Sequence, residues 1–306
     1  MAGPHLNSPY TLESGLFCGD SASDGRWLRG NLHAHTTLSY GVHTPQELVD
    51  AYAELGYDFL AITDHDQVCS PDVLDRLDPH GLVLLPGNEI TTNGPHICHI
   101  NPRSTVGPHW QRQIVLDRIA AEAGQSFAIM NHPNWTQNYD HCPVSLLQLL
   151  RGYIGIEIFN GLTNEEQGSG YAVNKWDMVL SAGRRVWAFA NDDTHHRDDP
   201  GRAWNMVWSA QKSLDSIMAA ITSGRFYASS GIIINAIRTT GMHIHLETEN
   251  AERIVAITAG GRRLQTVDSN VMDFNVPADV PFVRFECWGK GEQFAWTQPV
   301  GLRPEQ

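Results

Sequence analysis

The stretch NLHAH at residues 31–35 ends one apolar run, and ITDHD at residues 62–66 ends the next. In both stretches, histidine and carboxylate side chains follow residues that favour a β-strand. Residues two apart on a strand face the same side, so His33 and His35 can reach one ion together. Imidazole nitrogen and carboxylate oxygen suit Zn, Mn and Fe. The sequence therefore predicts a metal site built from several strand ends.

Similar residues end four more runs: GNE at 87–89, HICH at 96–99, NHP at 131–133 and DDTHH at 192–196. Glu89 follows an apolar run, where an unpaired carboxylate is unfavourable unless a cation meets it. A bridging position between two ions would satisfy it. Asp193 and His195 are again two apart, the spacing that places both on one face of a strand.

Strand-like runs alternate with helical patterns as far as about residue 230. The clearest helix signal is the capping box that begins at Thr44, with Pro45 at the first helical position and Gly56 after the end. Strands and helices that alternate over short connections predict parallel pairing, in an open sheet or a barrel. The polar residues stand at the C-terminal ends of the strands, where a barrel collects its catalytic groups. We therefore expect a barrel.

After Gly231 the helical pattern stops, and short strands follow one another between glycine and proline residues. Alternating apolar positions there are typical of a half-buried antiparallel sheet. We expect three parts: an N-terminal extension at residues 1–27, a barrel at residues 28–231 and a small all-β C-terminal appendage at residues 232–306.

The composition excludes several classes of function. The chain has 306 residues and a net charge of −13, which argues against binding a long nucleic acid and fits a small-molecule substrate or a single nucleic-acid end. No segment has the roughly 20 apolar residues that span a bilayer, and the first residues do not resemble a signal peptide, so we expect no membrane partner and a cytoplasmic protein. The five scattered cysteines are expected to be reduced. Nothing in the sequence indicates an oligomeric state.

Taken in order, the motifs HxH, TDH, GxE, a later histidine, HP and DxH resemble the PHP domain, the polymerase and histidinol phosphatase family. The resemblance spans about residues 28–230 and implies a distorted (β/α)7 barrel with two to three divalent ions, Zn, Mn or Fe. One ion would be held by His33, His35, Glu89 and Asp193, a second by Glu89, His99 and His132, and a third by His65 and His195.

The chain departs from the family pattern at Tyr40, where the family usually has a further ligand. The third ion is then left with two histidines, unless the phenol of Tyr40 points inward, and Asp64 and Asp66 become candidates for support or replacement. The end of the barrel region and the tail resemble the branch of the family that contains a carbaryl hydrolase.

Adjacent divalent ions lower the pKa of a bridging water, so hydroxide can form near neutral pH. The preferred function is a phosphoesterase that acts through such a hydroxide on a small phosphorylated metabolite or nucleotide. One alternative is hydrolysis of a carboxyl ester, carbamate or amide at the same site. The other, suggested by Tyr40, is a metal-binding module without turnover.

The remaining candidate residues concern catalysis and the substrate. Asp64 and Glu157 are the candidate catalytic carboxylates, and Glu157 is also interpreted as a partner of a metal-bound histidine or part of a salt bridge. Phosphate oxygens need fixed cations. The candidates for that role are Arg103, Arg197 and Arg202. The alternative interpretation is that these arginines form salt bridges with Asp198 and Asp199. Trp135 either packs in the core or lines the substrate pocket.

Overall fold

The computed structural model of the chain describes residues 25–122 and 126–301, so most of the expected extension at residues 1–27 lies outside the described residues. Up to residue 231 the strands are β1 Arg26–Asn31, β2 Phe59–Ile62, β3 Val83–Ile90, β4 Ile97–Ile100, β5 Phe127–Met130, β6 Gly155–Asn160, β7 Trp187–Asn191, β8 Trp204–Ser209 and β9 Phe226–Ser229. The helices are α1 Pro45–Glu54, α2 Pro71–Leu74, α3 Arg112–Ala120, α4 Val144–Leu149, α5 Val173–Ser181 and α6 Leu214–Thr222.

Local signals explain these elements. The α1 capping box is confirmed: the Thr44 hydroxyl accepts from the Glu47 N–H, and the Glu47 carboxylate accepts from the Thr44 N–H. Strands β2, β5 and β6 are buried at every residue. Such continuous burial is typical of strands that are covered on both faces, as in α/β proteins.

Parallel pairing occurs in two blocks, β1–β2–β3 and β5–β6–β7. Between them β4 is antiparallel to both neighbours, and β8 is antiparallel to β1. The expectation of parallel pairing throughout is therefore wrong at β4 and β8. Only residues 91–96 connect β3 to β4, whereas a parallel crossover needs a dozen or more residues.

The segments that follow β1 and β7 pair with each other. The His35 N–H donates to the Thr194 carbonyl at 3.1 Å, and the Asp193 N–H donates to the His33 carbonyl at 3.0 Å. His33, His35 and Asp193 thus come together at one end of an α/β fold with a large sheet. The seven-unit barrel stays a prediction.

After residue 231 the strands are β10 Ile234–Thr240, β11 His243–Thr248, β12 Arg253–Thr258, β13 Arg262–Val267, β14 Val271–Asn275, β15 Arg284–Trp288 and β16 Phe294–Thr297. Strands β10, β11 and β14 form a separate three-stranded sheet, while β16 pairs with β9 and extends the large sheet through β15, β12 and β13. The main hydrophobic core also joins the two parts, for example through Leu28, Phe226 and Phe285. The division at residue 231 stays a prediction.

Within the described residues, no helix has both the length and the apolar character that crossing a bilayer requires.

Candidate metal centre

Glu89, near the end of β3, is fully buried at the centre of a group of imidazoles. Its two carboxylate oxygens face nitrogen atoms from five different histidines. Oε1 lies 3.3 Å from His33 Nε2, 3.2 Å from His96 Nδ1 and 3.2 Å from His132 Nε2, and Oε2 lies 2.9 Å from His65 Nδ1 and 3.5 Å from His35 Nε2.

Asp193 is the second carboxylate of the cluster. Its Oδ1 lies 3.2 Å from Nε2 of His33 and 3.1 Å from Nε2 of His35. The backbone of Asp193 has φ 56° and that of His132 has φ 23°, both in the region that side chains other than glycine rarely adopt. Such strain concentrates at functional sites, where the surrounding structure maintains it.

The two carboxylates are held in their charged form. Burial alone would raise the pKa of Glu89, but the neighbouring imidazoles of His33 and His96 hold that pKa well below its ordinary value. Burial opposes ionisation of Asp193 as well, yet His33 and His35 lower its pKa strongly. The centre therefore presents two buried negative charges, which need cations around them.

The hydrogen bonds of His33 test whether metal ions fit. Its Nδ1 contacts Glu157 Oε1 at 3.0 Å, so in a neutral ring Nε2 carries a lone pair. That lone pair faces oxygens of both Glu89 and Asp193, which would repel it without a cation between them. Protonating every ring instead would bring like charges together, because the ring centroids of His35 and His65 are only 4.2 Å apart. The donor set therefore fits divalent metal ions.

Two ring nitrogens also face each other between His65 and His195, whose Nε2 atoms are 3.4 Å apart, while Nδ1 of His65 faces Glu89. His195 Nδ1 contacts the Asp193 carbonyl at 2.9 Å, which leaves its Nε2 as the acceptor. His35, His65 and His195 together can hold an ion. The Tyr40 ring lies 5.2 Å from that of His65, but the side chain is 78% exposed, so its phenol is not part of the cluster.

The structure brings together seven of the eight predicted ligands, and His99 is the exception. His99 faces away from the cluster, with Nε2 3.4 Å from Glu122. Because β4 runs antiparallel to β3, its first residues lie beside the end of β3, and His96 takes the place that the sequence assigned to His99. The motif HICH contained both histidines, and only the strand direction distinguishes them.

The two predicted catalytic carboxylates are occupied by hydrogen bonds. Asp64 accepts from the Thr36 N–H, the Thr36 hydroxyl and the Ser39 hydroxyl, so it fixes the turn after His35. Among the described residues, Asp64 belongs to none of the groups that could hold an ion.

Glu157 accepts hydrogen bonds at both oxygens. Oε1 contacts His33 and the side chain of Asn191, and Oε2 accepts from the His132 N–H and the side chain of Asn160. These contacts do not support a general acid. They support the alternative interpretation, a partner that orients a metal-binding histidine.

Backbone amides of several cluster histidines are also held by side chains. The acceptors are Asn31 for His33, His141 for His96, Glu157 for His132 and Asp199 for His195. His141 was missed from the sequence because no neighbouring motif marks it. Burial and the nearby imidazoles lower its pKa to about 2, which keeps its Nε2 an acceptor.

The predicted phosphate-binding arginines lie elsewhere. Arg202 pairs with Asp199 at 3.1 Å and with Glu165 at 3.0 Å, which matches the salt-bridge alternative for this residue. Arg103 and Arg197 are exposed, and neither is among the residues that line the cavity at the centre. The prediction that these arginines contact the substrate is therefore not supported.

A cavity of about 160 Å³ opens onto the cluster. Trp135 lines it, with its ring 5.3 Å from that of His96 and 5.2 Å from that of His132, so the pocket-wall interpretation of Trp135 agrees with the structure. Among the described residues, no lysine or arginine lines this cavity. Lining residues that the sequence did not single out are Leu162, Thr163 and Glu166.

Comparison with known proteins supports the fold. A two-domain protein from Bacteroides vulgatus, described as containing a predicted PHP-like metal-dependent phosphoesterase, superposes with a TM-score of 0.55 over 95% of this chain and 90% of that chain, at 15% sequence identity. The chain has a PHP-like fold. No family model matches it. The carbaryl-hydrolase branch stays a prediction.

Two curated relatives match shorter segments of this PHP-like chain. The 5'-3' exoribonuclease Rnm of Salmonella typhimurium is 43% identical over 65 residues, 20% of this chain and 22% of the relative. The 5'-3' exoribonuclease of Haemophilus influenzae is 35% identical over 115 residues, 34% of this chain and 41% of the relative. The matches thus span less than half of either relative.

Proposed function

We propose that this PHP-like protein is a metal-dependent hydrolase that cleaves a phosphate ester of a small phosphorylated metabolite or nucleotide. One observation carries the proposal: five imidazoles surround the buried carboxylate of Glu89, with ring nitrogens facing its oxygens. A buried carboxylate among neutral imidazoles needs cations beside it. The fold shared with the Bacteroides vulgatus protein is consistent with it.

Two to three divalent ions, Zn, Mn or Fe, fit these residues. Bound there, they would acidify water and polarise an oxygen of the substrate. The first ion would be held by His33, His35, Glu89 and Asp193, the second by Glu89, His96 and His132, and the third by His65 and His195, with His35 close by.

The protein's own groups would orient and shield these ligands. Glu157 holds His33 and the backbone of His132, and so fixes two rings that face Glu89. Trp135 and Leu162 form an apolar wall of the cavity and would exclude water from the reacting centre.

The cavity also limits the substrate. A phosphate monoester carries two negative charges and usually needs an arginine or lysine besides the metals. No such side chain lines the cavity in the described part of the chain. This favours a phosphodiester, which carries a single charge, and the segments shared with 5'-3' exoribonucleases support a nucleic-acid end as one such substrate.

The same observation supports a second candidate. A neutral carboxyl ester, carbamate or amide needs no arginine, and the ions could polarise its carbonyl oxygen equally well. We place either activity on a barrel at residues 28–231, with residues 232–306 as its β-rich neighbour.

A substrate panel with controlled metal content tests the proposal. The protein would be stripped with a chelator, reloaded with Zn, Mn or Fe, and assayed on p-nitrophenyl phosphate, bis(p-nitrophenyl) phosphate, p-nitrophenyl acetate and an aryl carbamate. We expect metal-dependent cleavage of phosphate esters. A preference for the acyl substrates would establish the second candidate, and bound metal without any turnover would leave a binding module.

A further inference from the structure

Asp199 is a buried carboxylate beside the metal cluster but is not part of it. Its side chain is only 1% exposed. Oδ2 accepts the backbone N–H of His195 at 2.7 Å and also that of His196. One carboxylate oxygen therefore holds two consecutive backbone N–H groups, those of His195 and His196.

The other oxygen of Asp199 is bound by Arg202. Nη2 of Arg202 lies 3.1 Å from Asp199 Oδ1 and 3.0 Å from Glu165 Oε2. Glu165 belongs to the loop at residues 161–168, which follows β6. Because Leu162, Thr163 and Glu166 of this loop line the cavity, Arg202 connects the cavity wall to the backbone of His195.

Packing supports the same connection. A Cβ added to Gly161 would lie 3.2 Å from the Cβ and Cδ atoms of Arg202, so the stem of the arginine packs closely on the start of the loop. Nη1 of Arg202 is buried and does not reach the cavity. Both carboxylates pair with the same nitrogen, Nη2, so the ion pairs fix the guanidinium between Asp199 and the loop.

We propose that Asp199, Arg202 and Glu165 form a clamp that positions His195 for its metal ion and holds the cavity loop beside it. Asp199 and Arg202 are positioning residues, and neither touches the substrate. An ion held by His195, His65 and His35 would have few protein ligands, so its affinity would depend strongly on the position of each ring. Loss of the clamp would displace the ring of His195 and weaken binding of that ion more than binding of the others.

The test compares neighbouring aspartates in the full-length protein. Asp199→Asn removes the charge that Arg202 binds, whereas Asp198→Asn alters an exposed neighbour on the same loop. Affinities for Zn or Mn would be measured by competition with a chromophoric chelator. We expect Asp199→Asn to weaken one ion by about 10–100-fold, the range typical of residues that orient metal ligands, while the others stay bound. Asp198→Asn should bind like the parent.

Arg202→Met separates positioning from substrate binding. The clamp predicts weakening of the same ion, and an equal fractional loss of kcat/KM on a charged phosphate ester and a neutral ester. Glu165→Gln removes only the ion pair between Arg202 and the cavity loop. It should therefore raise KM and leave all ion affinities unchanged.

Two results would overturn the clamp. One is unchanged ion affinity in a folded Asp199→Asn protein, with folding verified by circular dichroism. The other is an Arg202→Met protein with full metal content that loses activity only on phosphate, which would make Arg202 a substrate ligand. If Asp199→Asn does not fold, Arg202→Met provides the affinity measurement, and unchanged affinity for every ion would then overturn the clamp. The affinity readout decides the clamp even if the parent cleaves no phosphate ester, so failure of the proposed function is distinguishable.

Discussion

The chain contains the pattern HxH in two places, at His33-Ala-His35 just after β1 and at His243-Ile-His245 in β11. The first pair is completely buried, and its imidazoles meet both Glu89 and Asp193. In the second pair the side chains are 39% and 27% exposed, and both face the surface carboxylate of Asp273 at 3.4 and 2.9 Å.

The spacing along the chain is identical, so the difference lies in what the fold brings to each pair. The first pair lies where several strand ends meet, whereas the second lies on the outer face of a three-stranded sheet. Exposed His–Asp contacts are screened by water and contribute little. The same HxH spacing therefore contributes to a metal-type cluster only where tertiary structure supplies buried carboxylates.

The largest effect is expected from removing the second region entirely. Truncation after Gly231 would expose the edge of β9 and remove Phe285 and other residues of the shared core, so we expect loss of the cooperative fold. Circular dichroism and size-exclusion chromatography would measure it. A truncated protein that is monomeric, folded and still binds metal would show that the two regions are separable.

Glu89→Gln should have the next largest effect. The variant loses the negative charge shared by the surrounding imidazoles, so we expect loss of at least two ions and at least about a hundredfold in kcat/KM. Asp273→Asn, which alters the carboxylate of the second HxH, is the matched control and should retain full metal content by elemental analysis. Full metal content in Glu89→Gln would refute the bridging assignment.

Glu157→Gln should have an intermediate effect. The amide has one acceptor oxygen, so it can accept from His33 or from the His132 N–H but not from both, and it carries no charge. We expect metal affinity about 10–100-fold lower rather than complete loss. Glu247→Gln, beside His245, serves as the control. If Glu157→Gln binds metal normally but its pH–rate profile loses one limb, Glu157 is a general acid after all.

The smallest effect at neutral pH concerns His99. Burial lowers its pKa to about 4 although Glu122 opposes this, whereas an unfolded chain has a histidine pKa of about 6.5. Between these values the unfolded state binds more protons, so the stability that neutral His99 contributes is lost as pH falls from about 6.5 to 4.

His99→Phe should remove part of that pH dependence. Each unit of pKa difference corresponds to about 1.4 kcal/mol. Urea unfolding at pH 7.5 and 5 would therefore show whether the free energy of unfolding changes less with pH in the variant than in the parent. The same change in the free energy of unfolding between these pH values in the variant and the parent would contradict this account of His99.

Several features could be predicted from the sequence because their physical cause is local. The α1 capping box depends on residues three apart and was confirmed. The positions of His33, His35, Glu89 and Asp193 at strand ends also followed from short apolar runs next to polar residues. A chain that alternates strands and helices brings such ends to one side.

Other features depend on strand direction and on distant charges, which no local pattern contains. His99 was implied by the resemblance to the family, and the antiparallel direction of β4 places its first residues, and so His96, beside the end of β3 instead. Arg202 was expected to contact phosphate, yet Glu165 and the buried Asp199 bind it. Its partner Glu165 lies far away in the sequence.

The sequence by itself determined the kind of chemistry, because clustered histidines and carboxylates at strand ends suit few functions other than metal binding. It also determined the α/β fold class, because strand-like apolar runs alternate with helical patterns along the chain. Only the tertiary structure decided which side chains lie around Glu89: His96 and not His99, and the HxH at residue 33 and not the one at residue 243. The physical reason is that a ligand's role depends on the charges and burial that distant segments bring to it.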